Sequence, residues 1–281
     1  MGFFVLFVTT VTFVFAKALG YDSTFGLLAL VAASITGLGS FFWGDKLVLS
    51  ISHAKPADRK KDFDFYTVSQ NMAIAAGIPT PKLYVIEDTA INAFATGRDP
   101  KHAVVCATRG LLTNLSRREL EGVIAHEMSH IKNFDIRLMA IIAILAGMVA
   151  FLADWFLRAL WWGRRGRDEH RNSASAIYLL LGLAFAILTP LIATIMQLAV
   201  SRRREFLADA SGALLTRNPD ALADALTKIG KDKEVLEAAT NATAHLYIIN
   251  PFKGKQFSAW FANLFNTHPP VEERVRILRE M

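Results

Sequence analysis

Ala125-His126-Glu127-Met128-Ser129-His130 sets two histidines four residues apart, with a glutamate directly after the first. On a helix, positions i and i+4 share a face, so His126 and His130 can offer imidazole nitrogens to one cation. Glu127 is angled away from that pair, which suits handling the proton of a metal-bound water rather than ligation. These are the parts of a hydrolytic metal centre, and a His/His/carboxylate donor set favours Zn2+. The flanking sequence supplies the helix such a centre needs. Ser116-Arg117-Arg118-Glu119 is a capping-box sequence. Neither Pro nor Gly interrupts 123–146, and Leu120, Val123, Ile124 and Ile131 make an apolar stripe. The competing reading is a surface helix carrying two unrelated histidines.

A catalytic zinc takes three protein ligands and leaves one position for water. A metzincin would place Gly and His at positions held here by Asn133 and Ile136, which excludes that class. His53, His102, His170, His245 and His268 are available as third ligands. A glutamate on another helix is the better candidate. Glu205, in Arg204-Glu205-Phe206-Leu207-Ala208-Asp209, shares a helix face with Asp209. That spacing lets Glu205 bind metal while Asp209 accepts from the outer nitrogen of a ligand histidine. As the alternative, both carboxylates are solvated partners of Arg202, Arg203 and Arg204.

Of the 281 residues, 53% are hydrophobic, too many for an ordinary soluble protein of this length. Cys106 is the sole cysteine, which excludes an intramolecular disulfide and any cysteine cage for a metal. The net charge of +6 raises nucleic acid as a partner, but no reading motif accompanies it, so none is expected. Basic residues beside apolar segments suit a lipid bilayer better.

Four apolar segments, 2–19, 24–43, 138–160 and 175–200, are each about long enough to span a ~30 Å hydrocarbon core as a helix. The first has no basic flank ahead of it and is followed at once by another apolar segment, so a retained hairpin is expected rather than a cleaved leader. Lys46, Lys55, Arg59, Lys60, Lys61, Lys132, Arg137 and Arg202–Arg204 then share one side, which the positive-inside rule makes cytoplasmic. Arg164, Arg165, Arg167 and Arg171 conflict with this, so the second pair is either a full crossing or a hairpin that does not fully cross. The expected layout is a transmembrane hairpin over 1–45, the first part of a metalloprotease domain over 46–136, a second hairpin over 137–200, and the second part of that domain over 201–281. The fold class is α+β: a mainly helical membrane protein whose catalytic part is zincin-like, of the gluzincin kind, with a small β-sheet. Helices are expected at Phe63–Ala76, at 201–229 and after Pro269-Pro270, and strands at Lys82–Ile86, Ile91–Thr96 and Ala103–Thr108.

Four stretches taken together carry a resemblance: Ile91-Asn92-Ala93-Phe94-Ala95-Thr96-Gly97, Ala125–His130, Arg204–Asp209, and Thr267-His268-Pro269-Pro270-Val271-Glu272-Glu273-Arg274. In these, and in its four-segment layout, the chain resembles the HtpX-family integral-membrane zinc metalloproteases, related to the CAAX prenyl endoproteases. The resemblance implies His126, His130 and Glu205 as ligands of one catalytic Zn2+ and Glu127 as the base. It also implies a bacterial-type inner-membrane location, an active site facing the cytoplasm, and a part in stress response and quality control. The implied substrates are damaged or misfolded membrane proteins and other unfolded polypeptides.

Four assignments are finer. His268, in a rigid Thr-His-Pro-Pro approach, is a candidate second donor to the oxyanion, or else a cap for the following helix. Asn92 lies on an expected edge strand, where it either holds a substrate backbone added as an extra strand or makes a turn-side bond. Arg204 orients Glu205 or Asp209, or is a plain juxtamembrane charge. Asp209 is the outer partner of a ligand histidine. Three further readings compete with this one, of which a transporter is weak because the apolar segments carry few ionisable groups and Pro190 suffices only for a kink. Arg117, Arg118, Glu119, Glu121, Lys132, Asp135 and Arg137 surround the motif and are too costly to bury in lipid, which excludes an intramembrane site. The other alternative is a non-enzymatic membrane scaffold with structural zinc, which would need four closed ligands and leave Glu127 idle.

Overall fold

The computed structural model describes residues 42–138, 202–239, 246–249 and 269–281, together with Val31, Gly39, Thr243 and Pro251. The chain divides into two compact units, one of Met1–Trp43 with Ile144–Thr194, the other of Gly44–Ala143 with Ile195–Met281. Every element described below belongs to the second. The four apolar segments fall almost wholly outside the described residues. Among the described residues, no helix is long and apolar enough to cross a membrane.

The second unit is mainly helical around a small mixed sheet. Strand β1 (Lys55–Pro56) pairs antiparallel with β2 (Lys82–Ile86), which runs parallel to β4 (Val104–Thr108). Strand β3 (Ala93–Thr96) pairs antiparallel with β4 and forms the edge, in the order β1-β2-β4-β3. A central strand buried on both faces reads as a continuous apolar run, and every residue of β4 is buried. Cys106 is fully covered there, and burial pushes its thiol far above the ordinary range, leaving it inert.

Helix α1 (Phe63–Ala76) ends at Gly77, whose φ of 70° suits a residue without a Cβ; the Gly77 and Ile78 N–H groups close on Ile74 and Ala73 carbonyls. A short helix α2 (Arg109–Asn114) leads from β4 to α3 (Arg117–Lys132), the helix of the histidine motif. Ser116 caps α3 by accepting from the Glu119 N–H, and Glu119 Oε2 accepts from the Ser116 N–H at 2.7 Å. Both halves of the capping box are therefore present. Ser116→Ala should lower stability by about 1 kcal/mol, read as the thermal midpoint in detergent; an unchanged midpoint would show that tertiary packing alone fixes this helix end.

Beyond α3 the structure departs from the uninterrupted helix the sequence suggests. Asn133 caps the helix and Phe134 turns into the left-handed region with φ 60°. The expected single helix over 201–229 is also two: α4 (Arg202–Thr216) and α5 (Pro219–Lys231). Pro219 has no N–H to continue a helix but fits a first turn, and the Asn218 side chain caps that turn by accepting from the Ala221 N–H. Helix α6 (Val271–Arg279) closes the chain after Pro269-Pro270.

The core lies between the sheet and the helices. Phe65 and Val68 of α1, Val105 and Ala107 of β4, and Val123, Ile124 and Met128 of α3 form one cluster with Leu222, Leu226 and Ile229 of α5. Each large side chain buried there contributes about 1.5–3 kcal/mol. The central place of α3 in this cluster holds its histidine face in a fixed orientation.

Candidate active site

Helix α3 carries His126, Glu127 and His130, and α4 carries Glu205 and Asp209. The two helices touch at Gly212, where an added Cβ would lie 3.1 Å from the His126 nitrogen and 3.3 Å from its Cα. This close approach brings the Glu205 carboxylate to both imidazoles. Gly212→Ala should force the helices apart, cost about 1–3 kcal/mol and weaken metal retention. Equal zinc content and an equal unfolding midpoint in the variant would show that the contact is dispensable.

His126 Nε2 and His130 Nε2 are 3.1 Å apart, with the rings edge-on at 88°. Glu205 Oε1 lies 3.4 Å from His130 Nε2, and Oε2 lies 3.9 Å from His126 Nε2. One atom from each of the three residues falls within 4.8 Å of the others. All are buried, as is Glu127: His130, the most exposed of the four, is 4% accessible.

The outer nitrogens define the inner ones. Asp209 Oδ1 lies 2.9 Å from His126 Nδ1, and Asp135 Oδ2 lies 3.1 Å from His130 Nδ1. A carboxylate only accepts, so in the neutral ring each Nδ1 carries the hydrogen and each Nε2 turns a lone pair inward. Two such lone pairs and a carboxylate in contact repel one another unless positive charge sits among them. The electrostatics agree. Burial alone would lower the His130 imidazole, but Asp135, Glu205 and Glu127 outweigh it and raise it to about 10. The pocket therefore attracts a cation, and two imidazoles with one carboxylate are the donors zinc prefers. Burial lowers the His126 imidazole, only partly opposed by Asp209, so it is ready as a neutral donor.

Burial drives the Glu127 carboxyl up to about 7, with His130 and Arg274 opposing the rise and Glu205 adding to it. That range suits a group that must both take and give a proton near neutrality. The Ala95 backbone also favours the charged form of Glu127, which sets this carboxyl beside the edge strand β3.

Two functional residues escaped the sequence reading. Asp135 follows His130 by five residues, about 140° away on an unbroken helix; the turn through Phe134 swings it back under the ring. Arg274 of α6 is fully buried and grips Asp209 with two bonds, Nε to Oδ2 at 2.8 Å and Nη2 to Oδ1 at 2.7 Å. Its Nη1 lies 3.6 Å from Glu205 Oε2 and donates to the Ile248 carbonyl at 3.1 Å. Against this attraction burial is outweighed, and Asp209 is held down at about 2.

Arg204 occupies a different place from the one expected. It pairs with Asp135 and so bears on His130; among the described residues, the arginine that reaches both Glu205 and Asp209 is Arg274. Asn92 is buried, with Nδ2 donating to the Ile249 carbonyl at 2.9 Å and Oδ1 accepting from the Ala93 N–H at 3.1 Å. In this structure those bonds go to the chain itself. His268 lies outside the described residues.

A buried pair of helical histidines, a facing carboxylate and an adjacent buried glutamate beside a sheet edge fit the class of metal-dependent hydrolases. The comparisons give the family. Residues 60–281 match the model of Peptidase family M48, and the chain belongs to that family. The chain is 48% identical over 240 residues to a protease HtpX homolog of Caldanaerobacter subterraneus subsp. tengcongensis, covering 84% of this chain and 78% of that protein. It is 45% identical over 258 residues to a protease HtpX homolog of Tropheryma whipplei, covering 92% and 86%. The crystal structure of S. mikatae Ste24p superposes with a TM-score of 0.54 at 17% identity, over 99% of this chain and 63% of that one, a likeness of fold.

Proposed function

We propose that the chain is a multi-pass membrane zinc endopeptidase whose active site faces the cytoplasm and hydrolyses damaged or misfolded membrane proteins. The observation that carries the reading is the meeting of His126, His130 and Glu205 within 4.8 Å of one another, with Glu127 on the next helical position. The apolar segments 2–19, 24–43, 138–160 and 175–200 and the basic residues flanking them support the membrane assignment and its orientation. In that arrangement 46–136 and 201–281 make one catalytic domain interrupted by the second hairpin.

His126, His130 and Glu205 would hold the ion, and zinc there supplies a Lewis acid and a bound water with a pKa near ~7. Glu127 accepts the proton of the attacking water and passes it to the leaving amine, for which a carboxyl near 7 is suited in both directions. Asp209 and Asp135 hold the two imidazoles in the donor tautomer, and Arg274 keeps Asp209 charged and in place. His268 is the proposed second donor to the developing oxyanion. The alternative of a scaffold with structural zinc gives Glu127 no task.

The test is cleavage of casein and of an unfolded membrane protein by the full-length protein in detergent. Chelation should abolish cleavage and zinc should restore it. Cleavage that survives complete removal of metal overturns the proposal.

A further inference from the structure

Peptides bind many proteins by adding an extended strand to an exposed sheet edge. Here the edge beside Glu127 is β3, and part of it is already taken. The Thr108 N–H donates to the Asn92 carbonyl at 3.0 Å, on the β4 side. Antiparallel pairing alternates, so Ala93 and Ala95 turn their backbone groups to the outer edge. The Ala95 backbone lies beside Glu127. Ala93 uses its outer side to accept from the Ile248 N–H at 3.0 Å. Tyr247 sits opposite Phe94 in an antiparallel bridge, the two rings edge-on with centroids 5.0 Å apart. The Asn92 amide takes the Ile249 carbonyl at 2.9 Å, and the Arg274 guanidinium takes the Ile248 carbonyl at 3.1 Å. Leu246–Ile249 is buried throughout.

None of these bonds reads a side chain. Each engages an N–H or C=O that any extended peptide presents, and the Arg274 group that holds Ile248 also reaches Glu205 and Asp209. With the metal ligands and Glu127 almost wholly buried, a substrate backbone has no way to this edge while the segment occupies it. We propose that Leu246–Ile249 is an internal segment standing in for substrate on the peptide-accepting edge of β3, and that a polypeptide must displace it to be cut. The proposal rests on the endopeptidase reading. It gives Asn92, the Ala93 carbonyl and Arg274 a second set of partners in the open enzyme, namely the backbone of the incoming peptide. The internal segment lowers the apparent affinity for every substrate by the fraction of molecules in which it is docked.

Ile248→Pro removes the N–H that Ala93 accepts and leaves the metal ligands untouched. Loss of one such bond shifts the docked-to-free ratio about fivefold. The full-length, zinc-loaded protein in detergent micelles, assayed with an internally quenched fluorogenic peptide of uncharged sequence, should show a KM about fivefold lower and an unchanged kcat. An unchanged or higher KM, or a fall in kcat at full zinc content, overturns the proposal, because the segment would then be part of the working site. Hydrogen exchange provides a second arm in Glu127→Gln protein saturated with the same peptide. Exchange at the amides of residues 246–249 should rise at least tenfold; a bound peptide that leaves their protection unchanged, or a peptide that does not bind at all, overturns it. Glu127→Gln protein that still cleaves the peptide would refute the endopeptidase mechanism instead, and the exchange result would still report on displacement.

Discussion

Glu127→Gln should reduce peptide cleavage by about 10²–10⁴-fold, the range a positioned general base contributes, while zinc content and thermal midpoint stay near those of the parent. The amide keeps the shape of the side chain and can still meet the Ala95 backbone, but it cannot accept a proton at neutral pH. Glu127 is buried beside His130 and carries no burden in the apolar core, so fold and metal should survive the exchange. The check is kcat at saturating peptide together with zinc per chain in one preparation. Loss of zinc with activity would show that Glu127 helps hold the ion, and retained kcat would remove it from the chemistry.

Arg274→Ala should be the most destabilising single change near the site, by about 3–5 kcal/mol, the cost of stranding one member of a buried ion pair. Its guanidinium meets Asp209 through two bonds at 2.7 and 2.8 Å with no water access. Without it Asp209 keeps, among the described residues, His126 alone, and the carboxylate that holds that ring's tautomer would rise toward protonation. Metal affinity should fall about 10–100-fold, as for other changes to groups that orient a ligand. Arg274→Lys should recover part of the charge but not the forked geometry. Thermal unfolding and zinc titration of both variants check this; a parent-like midpoint for Arg274→Ala would mean that α6 does not brace the site.

The parts of the site that follow local rules were legible in the chain. The i, i+4 spacing of His126 and His130 needs only a helix, and Ser116 with Glu119 announced where that helix begins. Strand β2 and helix α1 have the limits read from their apolar patterns and from Gly77. What escaped depends on breaks and on distant contacts. Asp135 reaches His130 because Phe134 adopts a left-handed conformation, a choice costing roughly 1–2 kcal/mol that no propensity of phenylalanine suggests. Arg274 meets Asp209 across 65 residues, so its role is written in tertiary packing even though its motif was visible. Arg204 looked adjacent to Glu205 in sequence, yet its side chain leaves α4 toward Asp135. The stop between α4 and α5 was there to be read in Asn218-Pro219; the apolar periodicity on either side masked it.

The most direct test of the whole account is zinc stoichiometry with X-ray absorption at the zinc edge, on the full-length protein and on Glu205→Ala. The account predicts one zinc per chain, bound by two imidazoles and a carboxylate in the parent, and a loss of most of that zinc in the variant. Full zinc content with an unchanged spectrum in Glu205→Ala would contradict it.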